Sequence, residues 1–341
     1  MDFCNSVVTE LPRELYIEVT NRCNSRCQAC VRTFRRLEPQ RDLELREFRS
    51  LVDQFPVLNR VVLHGIGEPL LHVELVDMIR YLKGRHPSAV ALFNSNAVLL
   101  DEGWRKALIE VGLDQFRISM DAATASIYAQ IRGIDAFDRA IENTRQFATA
   151  LRGMERPRLS FWLTAMRENL PELPALVDLA AEIGVPEVYV QRLVLTRRGL
   201  AQEDHSLYGK LRAQEESFLA EAERRAQSHG LDFRASGLST PQQSLQRRRA
   251  AVGEGETDPH MPWFDCHRPW RMTYVTANGN VLPCCIAPFS ATDYGGLILG
   301  NIFDKAFPEI WNGTQYVERR TALRTAHPLS PCEECGMSWS L

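Results

Sequence analysis

Three cysteines near the start of the chain are close enough in sequence to act together at one site. Cys23, Cys27 and Cys30 lie in the stretch EVTNRCNSRCQACVRTF with the spacing C-x3-C-x2-C. This spacing matches neither the paired motifs of a zinc finger nor a disulfide framework. Thiols grouped in this way indicate metal binding or redox chemistry.

A second group of cysteines lies near the other end of the chain, and only Cys4 stands apart from both groups. The members of this second group are Cys266, Cys284, Cys285, Cys332 and Cys335. Cysteines that merely fill a core would be scattered, so two separate groups predict two metal centres. Four thiolates also suit a structural zinc ion, an alternative that the spacing alone leaves open.

The composition excludes several classes of protein. Of the 341 residues 45% are apolar and 24% are charged, with a net charge of −3, as is usual for globular proteins. We therefore expect no nucleic-acid partner and no membrane span. The first residues contain no signal-peptide pattern, which predicts a cytoplasmic protein with reduced thiols.

Apolar runs with strand character alternate with segments of helical periodicity along the first two thirds of the chain. The six predicted strands are 15–20, 60–65, 89–96, 115–121, 158–166 and 187–194. The helical segments between them are 43–55, 75–85, 102–112, 137–151 and 173–184. This order predicts an α/β fold with a parallel sheet. Because ligand sites lie at the carboxyl ends of parallel strands, the cysteines after the first strand belong to the working face.

The C-x3-C-x2-C motif after the first strand of such a unit resembles the radical S-adenosylmethionine (SAM) superfamily. The resemblance implies that Cys23, Cys27 and Cys30 bind three irons of a [4Fe–4S] cluster. The fourth iron then binds SAM, which the reduced cluster cleaves to methionine and a 5′-deoxyadenosyl radical. Ala29 departs from the pattern, since the family often has an aromatic residue before the third cysteine.

Further segments resemble the SAM-binding motifs of the same family. HGIGEPLLH (64–72) resembles its Gly-Gly-Glu segment, with Ile66 in place of the first glycine, and RISMD (117–121) resembles a serine motif. In YAQIRG (128–133) the arginine is expected to pair with the SAM carboxylate. The resemblance thus implies SAM contacts from Gly65, Ile66, Gly67, Glu68, Asn96, Ser119, Arg132 and Leu193.

The C-terminal cysteines resemble the ligands of the Twitch domain, a short relative of the SPASM domain. There a β-hairpin, here with Asn278-Gly279 as its turn, and a later C-x2-C hold one auxiliary [4Fe–4S] cluster. The implied ligands are Cys266, Cys284, Cys332 and Cys335. The expected fold is a partial (β/α)6 TIM barrel (1–200), a helical linker and mobile segment (201–262) and a small α+β domain (263–341).

This layout resembles Twitch dehydrogenases of aminocyclitol antibiotic pathways, of the butirosin and spectinomycin type. It implies oxidation of a secondary alcohol of a sugar or aminocyclitol, with a flavodoxin- or ferredoxin-type reductant as partner. Candidate catalytic or substrate residues are Cys285, His64, Gln191, Arg192, Asp293 and Glu18. The open alternatives are an epimerase with Cys285 as hydrogen donor, a peptide-modifying enzyme and an iron–sulfur electron carrier. For Cys285 an inert buried thiol, and for His64 a packed histidine, also stay open.

Overall fold

The computed structural model of the chain describes residues 5–207, 211–235, 266–290, 293–325, 327–330 and 332. The strands are β1 Glu14–Ile17, β2 Arg60–Val62, β3 Val90–Ser95, β4 Gln115–Ser119, β5 Arg158–Ala165, β6 Glu187–Arg192, β7 Asp232–Arg234, β8 Met272–Val275 and β9 Val281–Leu282.

Among the residues that the structure describes, twelve helical segments are numbered in chain order. The first eight are α1 Val31–Phe34, α2 Leu45–Val52, α3 Leu75–Arg85, α4 Glu102–Glu110, α5 Ala125–Arg132, α6 Phe137–Ala150, α7 Leu173–Ile183 and α8 Ala213–His229. The C-terminal ones are α9 Arg268–Arg271, α10 Ala287–Ser290, α11 Phe307–Trp311 and α12 Thr314–Ala322. Short 3-10 turns lie at Pro69–Leu71, Leu170–Glu172, Glu203–His205 and Gly295–Leu297.

All the strands belong to one sheet with the order β7-β6-β5-β4-β3-β2-β1-β8-β9. Strands β1 to β7 pair with their sequence neighbours in parallel, and the helices between them form the crossovers. The predicted α/β fold with a parallel sheet is therefore confirmed. Each of the six predicted strands is present, with ends that differ by a few residues.

Side chains alternate along the strands, so that one face of the sheet is apolar and buried and the other face is polar. In β4, Phe116 and Ile118 are fully buried, whereas Gln115, Arg117 and Ser119 are only half-buried. The ring of Phe116 packs 5.1 Å from that of Phe93 on β3, between ring centroids. Burying such a ring stabilises the fold by roughly 1.5–3 kcal/mol. The apolar side chains between the sheet and the helices thus hold the strands in place. The polar side chains on the opposite face of the sheet are left to form a site.

Helix ends are set by local capping residues. Asp101 caps α4 by accepting a hydrogen bond from the amide of Trp104. Helix α7 ends at Gly184, whose φ of +86° is the left-handed conformation typical of a glycine just past a helix. These local signals explain why the observed ends of α4 and α7 lie within two residues of the predicted ones.

Two features of the sheet are absent from the sequence predictions. Within the predicted linker, helix α8 packs on α7, and His229 Nε2 contacts Asp178 Oδ1 at 2.8 Å. The chain then forms β7, which pairs in parallel with β6. Residues 236–262 of that predicted segment lie outside the described residues.

The second feature is the pairing of the C-terminal hairpin with β1. The predicted hairpin is present, since β8 and β9 pair antiparallel, with Gly279 at φ +81° in the turn between them. However, β8 also pairs in parallel with β1, from Glu14 opposite Met272 to Ile17 opposite Val275. The hairpin therefore extends the barrel sheet on the edge next to the N-terminal cysteines.

Within the described ranges, none of the helices combines the length and the apolar character needed to cross a bilayer.

Candidate functional site

The N-terminal cysteines lie on the loop between β1 and α1. Backbone hydrogen bonds fasten this loop to the end of α5, from Arg26 N to Arg132 O (3.2 Å) and from Gln28 N to Ile131 O (2.7 Å). The side-chain amide of Asn96 donates to Asn24 Oδ1 at 2.7 Å, from the end of β3. The end of α5 and the residue after β3 therefore hold the loop through bonds that do not involve its thiols.

The thiols of Cys23, Cys27 and Cys30 line one cavity and lie close enough to influence one another's charge. Burial, with neighbouring negative groups adding to it, raises the pKa of Cys23 to about 11 and that of Cys30 to about 12. Desolvated thiols of this kind ionise when a bound cation compensates their charge. Among the described residues, no three His, Cys, Asp or Glu side chains are placed to hold a single metal ion. Three thiols on the wall of one cavity are a donor set that fits an iron–sulfur cluster.

The loop after β2 is pressed against its neighbours at two glycines. A Cβ on Gly67 would lie 2.0 Å from the carbonyl oxygen of Thr20, and one on Gly65 would lie 2.1 Å from Tyr274 Oη. Both distances are far below normal contact, so side chains are excluded at these positions. The predicted SAM segment is thereby held against the start of the cysteine loop.

Glu68 is buried, and its carboxylate already accepts three hydrogen bonds. The donors are Leu70 N at 3.1 Å, Ser95 Oγ at 2.7 Å and Asn96 N at 2.8 Å. These bonds join the loop after β2 to the end of β3. The structure thus gives Glu68 a positioning role, and its predicted contact with SAM stays a prediction.

Arg132 forms a buried ion pair with Asp121, with 2.8 Å between Nη2 and Oδ2. Its other terminal nitrogen, Nη1, donates to Cys27 Sγ at 3.7 Å. The guanidinium therefore connects the loop after β4 with the cysteine loop. Its predicted pairing with the SAM carboxylate stays a prediction, made from a side chain that lines the cavity.

The cavity shared by these residues, called the main cavity below, has a volume of about 500 Å³. Most of the predicted site residues line it, namely Cys23, Cys27, Cys30, His64, Gly65, Ile66, Gly67, Glu68, Asn96, Ser119, Arg132, Gln191, Arg192, Leu193 and Cys285. Asn94 Oδ1 and Arg132 Nε are among the buried polar atoms on its wall that have no hydrogen-bond partner in the described part of the chain. Because buried polar atoms are normally paired, these atoms indicate a polar ligand.

His64 is held as a neutral hydrogen-bond donor. Its Nδ1 accepts from the amide of Asn94 at 3.2 Å, which leaves the proton on Nε2. Burial, together with the charges of Arg117 and Arg60, lowers the pKa of His64 to about 3. The imidazole therefore stays uncharged at neutral pH.

Cys285 follows β9 and reaches the main cavity from the C-terminal hairpin. Tyr16 on β1 hydrogen-bonds to its thiol. The pairing of β8 with β1 is what brings this segment over the barrel. Among the C-terminal cysteines that the structure describes, Cys285 is thus the one that lines the same cavity as Cys23, Cys27 and Cys30.

Two predicted site residues, Glu18 and Asp293, are not on the main cavity. The carboxylate of Glu18 accepts hydrogen bonds from Ile66 N and Tyr274 Oη, both at 2.8 Å. It is only 2% exposed and joins the loop after β2 to strand β8. Asp293 is exposed beside Gly296. We therefore correct the expectation that these two residues contact the substrate. Glu18 joins Ile66 to Tyr274, an arrangement called the Glu18 clamp below, and Asp293 is exposed.

The Glu18 clamp predicts a pH dependence of stability. Burial raises the pKa of Glu18 to about 7 from an ordinary value near 4.5. The folded state then binds the proton more tightly than the unfolded state, so stability should fall as pH rises between these two values. For this residue the loss is up to about 3 kcal/mol. In Glu18→Gln the free energy of unfolding, measured by denaturant titration at a series of pH values, should change less with pH over this range. The same pH dependence as in the parent would contradict this role of Glu18.

The other C-terminal cysteines are described only in part. Cys266 is buried, and Cys284 is half-buried against the cluster around Tyr274 and Leu282. Cys332 is half-buried, with Arg319 Nη1 at 3.9 Å from its sulfur. Cys335 lies outside the described residues. The predicted four-cysteine ligand set therefore stays a prediction.

Several side chains on the main cavity were not predicted from the sequence. They are Tyr16, Arg60, Arg117, Trp162, Tyr189 and Arg268. All of them except Arg268 lie on strands. Arg117, Trp162 and Tyr189 each lie two residues before another polar residue of the cavity wall, which is Ser119, Thr164 or Gln191. Large polar or aromatic side chains at alternate positions of otherwise apolar strands were the signal that could have identified them.

Comparisons with known proteins agree with this geometry. Residues 17–188 match the radical SAM superfamily, and residues 266–336 match SPASM, an iron–sulfur cluster-binding domain. The tungsten-containing aldehyde ferredoxin oxidoreductase cofactor-modifying protein of Pyrococcus furiosus is 29% identical over 186 residues, which are 53% of this chain and 51% of that protein. This chain thus spans about half the length of that relative.

Two further proteins match over most of the chain. The AdoMet-dependent heme synthase of Oleidesulfovibrio alaskensis is 26% identical over 314 residues, 88% of this chain and 74% of that protein. The structure of Streptococcus suis SuiB bound to S-adenosylmethionine superposes with a TM-score of 0.69 at 17% identity, covering 96% of this chain and 72% of SuiB. At this identity the likeness to SuiB shows the fold alone.

The two domain matches confirm the predicted cofactors. A radical SAM domain uses SAM and a [4Fe–4S] cluster, and a SPASM domain adds auxiliary iron–sulfur binding. The cysteine loop, the glycine-bearing loop after β2 and the main cavity fit this chemistry. The chain therefore belongs to the radical SAM superfamily and carries a C-terminal iron–sulfur cluster-binding domain.

Proposed function

We propose that this enzyme oxidises a secondary alcohol of a sugar or aminocyclitol to a ketone. One observation carries the proposal. The main cavity is walled by the N-terminal cysteines at one end and by hydrogen-bonding and aromatic side chains further in. A substrate in this space would present a carbon atom to the SAM side while its hydroxyl groups bind the wall.

The inner wall suits a polyhydroxylated ring. Trp162 and Tyr189 stack on each other with 4.0 Å between ring centroids, which holds both rings rigidly on the wall. Beside them, Gln191 Nε2 donates to Thr164 Oγ1 at 2.7 Å, which leaves its carbonyl oxygen as an acceptor. An aromatic surface flanked by a few placed polar groups is typical of small-molecule sites.

When bound, SAM and its cluster supply the means to remove one hydrogen atom from carbon, and an auxiliary cluster supplies a one-electron acceptor. Cys23, Cys27 and Cys30 would hold the first cluster, and a flavodoxin- or ferredoxin-type protein would supply electrons. His64, as a neutral Nε2 donor, would bind and orient an acceptor oxygen of the substrate. Loss of one hydrogen atom, one proton and one electron converts the alcohol to the ketone, and the proton passes to solvent.

Epimerisation is the second candidate, and the position of Cys285 favours it. The thiol lines the main cavity and hydrogen-bonds with Tyr16. A thiol in this position would return a hydrogen atom to the opposite face of a substrate radical. The thiyl radical left on Cys285 would regain its hydrogen from one electron of the flavodoxin- or ferredoxin-type reductant and one proton of the solvent. The two candidates share the first hydrogen abstraction and differ in how the radical is quenched.

Replacing Cys285 separates the two candidates. With a panel of polyols and amino polyols, Cys285→Ala should retain substantial ketone formation, because oxidation needs no thiol donor. The product is measured by mass spectrometry as an alcohol that has lost two hydrogen atoms. Assays in deuterium oxide give a second reading. A product of inverted configuration, with one carbon-bound deuterium that disappears in Cys285→Ala, would reject oxidation in favour of epimerisation.

A further inference from the structure

A second cavity lies beneath the main cavity, toward the amino ends of the strands. This lower cavity, of about 390 Å³, is lined by residues that include Gln115, Arg158 and Glu187, the first residues of β4, β5 and β6. Both cavities share the lining residues Arg60, Arg117, Trp162 and Tyr189. These four side chains therefore form the boundary between the SAM side and the barrel base.

The lining of both cavities is rich in arginine, although the chain as a whole has a net charge of −3. Among the described residues, the lower cavity is lined by one carboxylate, that of Glu187, which pairs with Arg158 at 3.1 Å. The arginines on the lower cavity are Arg60, Arg117, Arg158 and Arg234. In the main cavity the carboxylates are those of Glu68 and Asp121, whose partners are described above. Arg158 and Arg234 also pair with Asp232, and Arg60 pairs with Glu14. The excess positive charge of the boundary therefore comes from Arg117.

Arg117 is the clearest case of a cation without a matching carboxylate. It donates to the neutral side chain of Gln115 at 3.0 Å, and its guanidinium lies 4.1 Å from the centroid of the Trp162 ring. No carboxylate in the described part of the chain lies within ion-pair distance of it. Burial, with the charge of Arg60 added to it, lowers the pKa of Arg117 to about 10. Such a group costs stability in the empty protein unless an anion binds there.

The neighbouring polar groups are also donors. Arg60 Nη1 lies 3.5 Å from Glu14 Oε2, and its Nε and Nη2 form no hydrogen bond with the residues that the structure describes. The Nε2–H of His64 is a donor as well. A carboxylate or phosphate accepts hydrogen bonds only, and guanidinium groups bind both with paired bonds. The donor set therefore matches an oxyanion.

We infer that the boundary between the cavities is an oxyanion subsite, in which Arg117 and Arg60 bind a carboxylate or phosphate group of the substrate. The inference rests on the proposed function, since it assigns a chemical class to the same substrate. The anionic group lies at the barrel base, and the carbon to be oxidised points toward the cysteine loop. The substrate is thus an acidic or phosphorylated sugar or cyclitol.

Binding of simple anions tests this subsite without turnover. Reconstituted protein with SAM, kept free of reductant, is titrated with inorganic phosphate and, separately, with malonate, in a calorimeter at constant ionic strength. The parent should bind at least one of them, and the preferred anion identifies the substrate group. Arg117→Gln should weaken binding on the order of tenfold or more. Arg80→Gln, which removes an exposed arginine on α3, is the matched control and should bind as the parent does.

The melting temperature distinguishes an anion site from a packing role. Because Arg117 lacks a carboxylate partner, Arg117→Gln should melt at the same or a higher temperature than the parent. Lower melting with lost anion binding would mean that Arg117 acts through its contact with Trp162, and would overturn the inference. Parent-like anion binding by Arg117→Gln, or no binding by the parent, would overturn it as well.

The subsite and the proposed function fail in different ways. A parent protein that binds phosphate or malonate but oxidises no alcohol would retain the subsite and reject the dehydrogenase. A parent that oxidises a neutral polyol and binds neither anion would reject the subsite alone.

Discussion

Replacing Cys23, Cys27 and Cys30 together by alanine should abolish SAM cleavage and lower the iron content from about eight to about four per chain, because one of two four-iron clusters loses its ligands. The loop itself should persist, since backbone bonds from Arg26 and Gln28 to the end of α5 do not involve the thiols. Iron is measured on anaerobically reconstituted protein, and SAM cleavage by the release of 5′-deoxyadenosine.

Cys285→Ala is the matched control for the triple variant. It also removes a thiol on the main cavity, but the residue is not a predicted ligand, so iron should stay near eight per chain. Unchanged iron in the triple variant would contradict the assignment of the N-terminal cluster. A parent with about four irons and one bound zinc would instead contradict the auxiliary cluster.

Arg132→Ala should destabilise the protein by roughly 3–5 kcal/mol, because it leaves Asp121 as a buried charge without its partner. The ion pair is well buried, with side-chain exposures of 11% for Arg132 and 6% for Asp121. The free energy of unfolding is measured by urea denaturation of the protein without cofactors, under reducing anaerobic conditions.

The double variant Asp121→Leu/Arg132→Leu should recover much of that loss, since no uncompensated charge remains. The exposed pair of Arg80 and Asp77 on α3 is the control, and Arg80→Ala should cost less than about 1 kcal/mol. Equal losses for Arg132→Ala and Arg80→Ala would show that the buried pair has no special role in holding the cysteine loop.

The barrel part of the fold could be predicted because its signals are local. Strand β4 has alternating buried positions, and α7 ends at Gly184, the last residue of the predicted helical segment 173–184. The cysteine spacing likewise placed three thiols on one loop. Each of these features depends on residues a few positions apart.

The features that could not be predicted from the sequence depend on contacts between residues that lie far apart in the chain. The pairing of β8 with β1 joins Glu14 to Met272, and a sequence read along the chain contains no signal for this register. That pairing brings Tyr274 onto Glu18 and so turns a predicted site residue into a clamp. The sequence also gave no reason to expect that Arg117 lacks a carboxylate, since partner choice depends on the packing of side chains inside the barrel.

Transfer of deuterium from substrate to 5′-deoxyadenosine tests the central claim most directly, namely that a substrate carbon in the main cavity loses a hydrogen atom. The substrate is an alcohol identified from the panel and labelled with deuterium at the carbinol carbon. It is incubated anaerobically with reconstituted protein, SAM and dithionite. We predict 5′-deoxyadenosine that carries one deuterium, together with the ketone. Ketone formed with unlabelled 5′-deoxyadenosine would contradict the account.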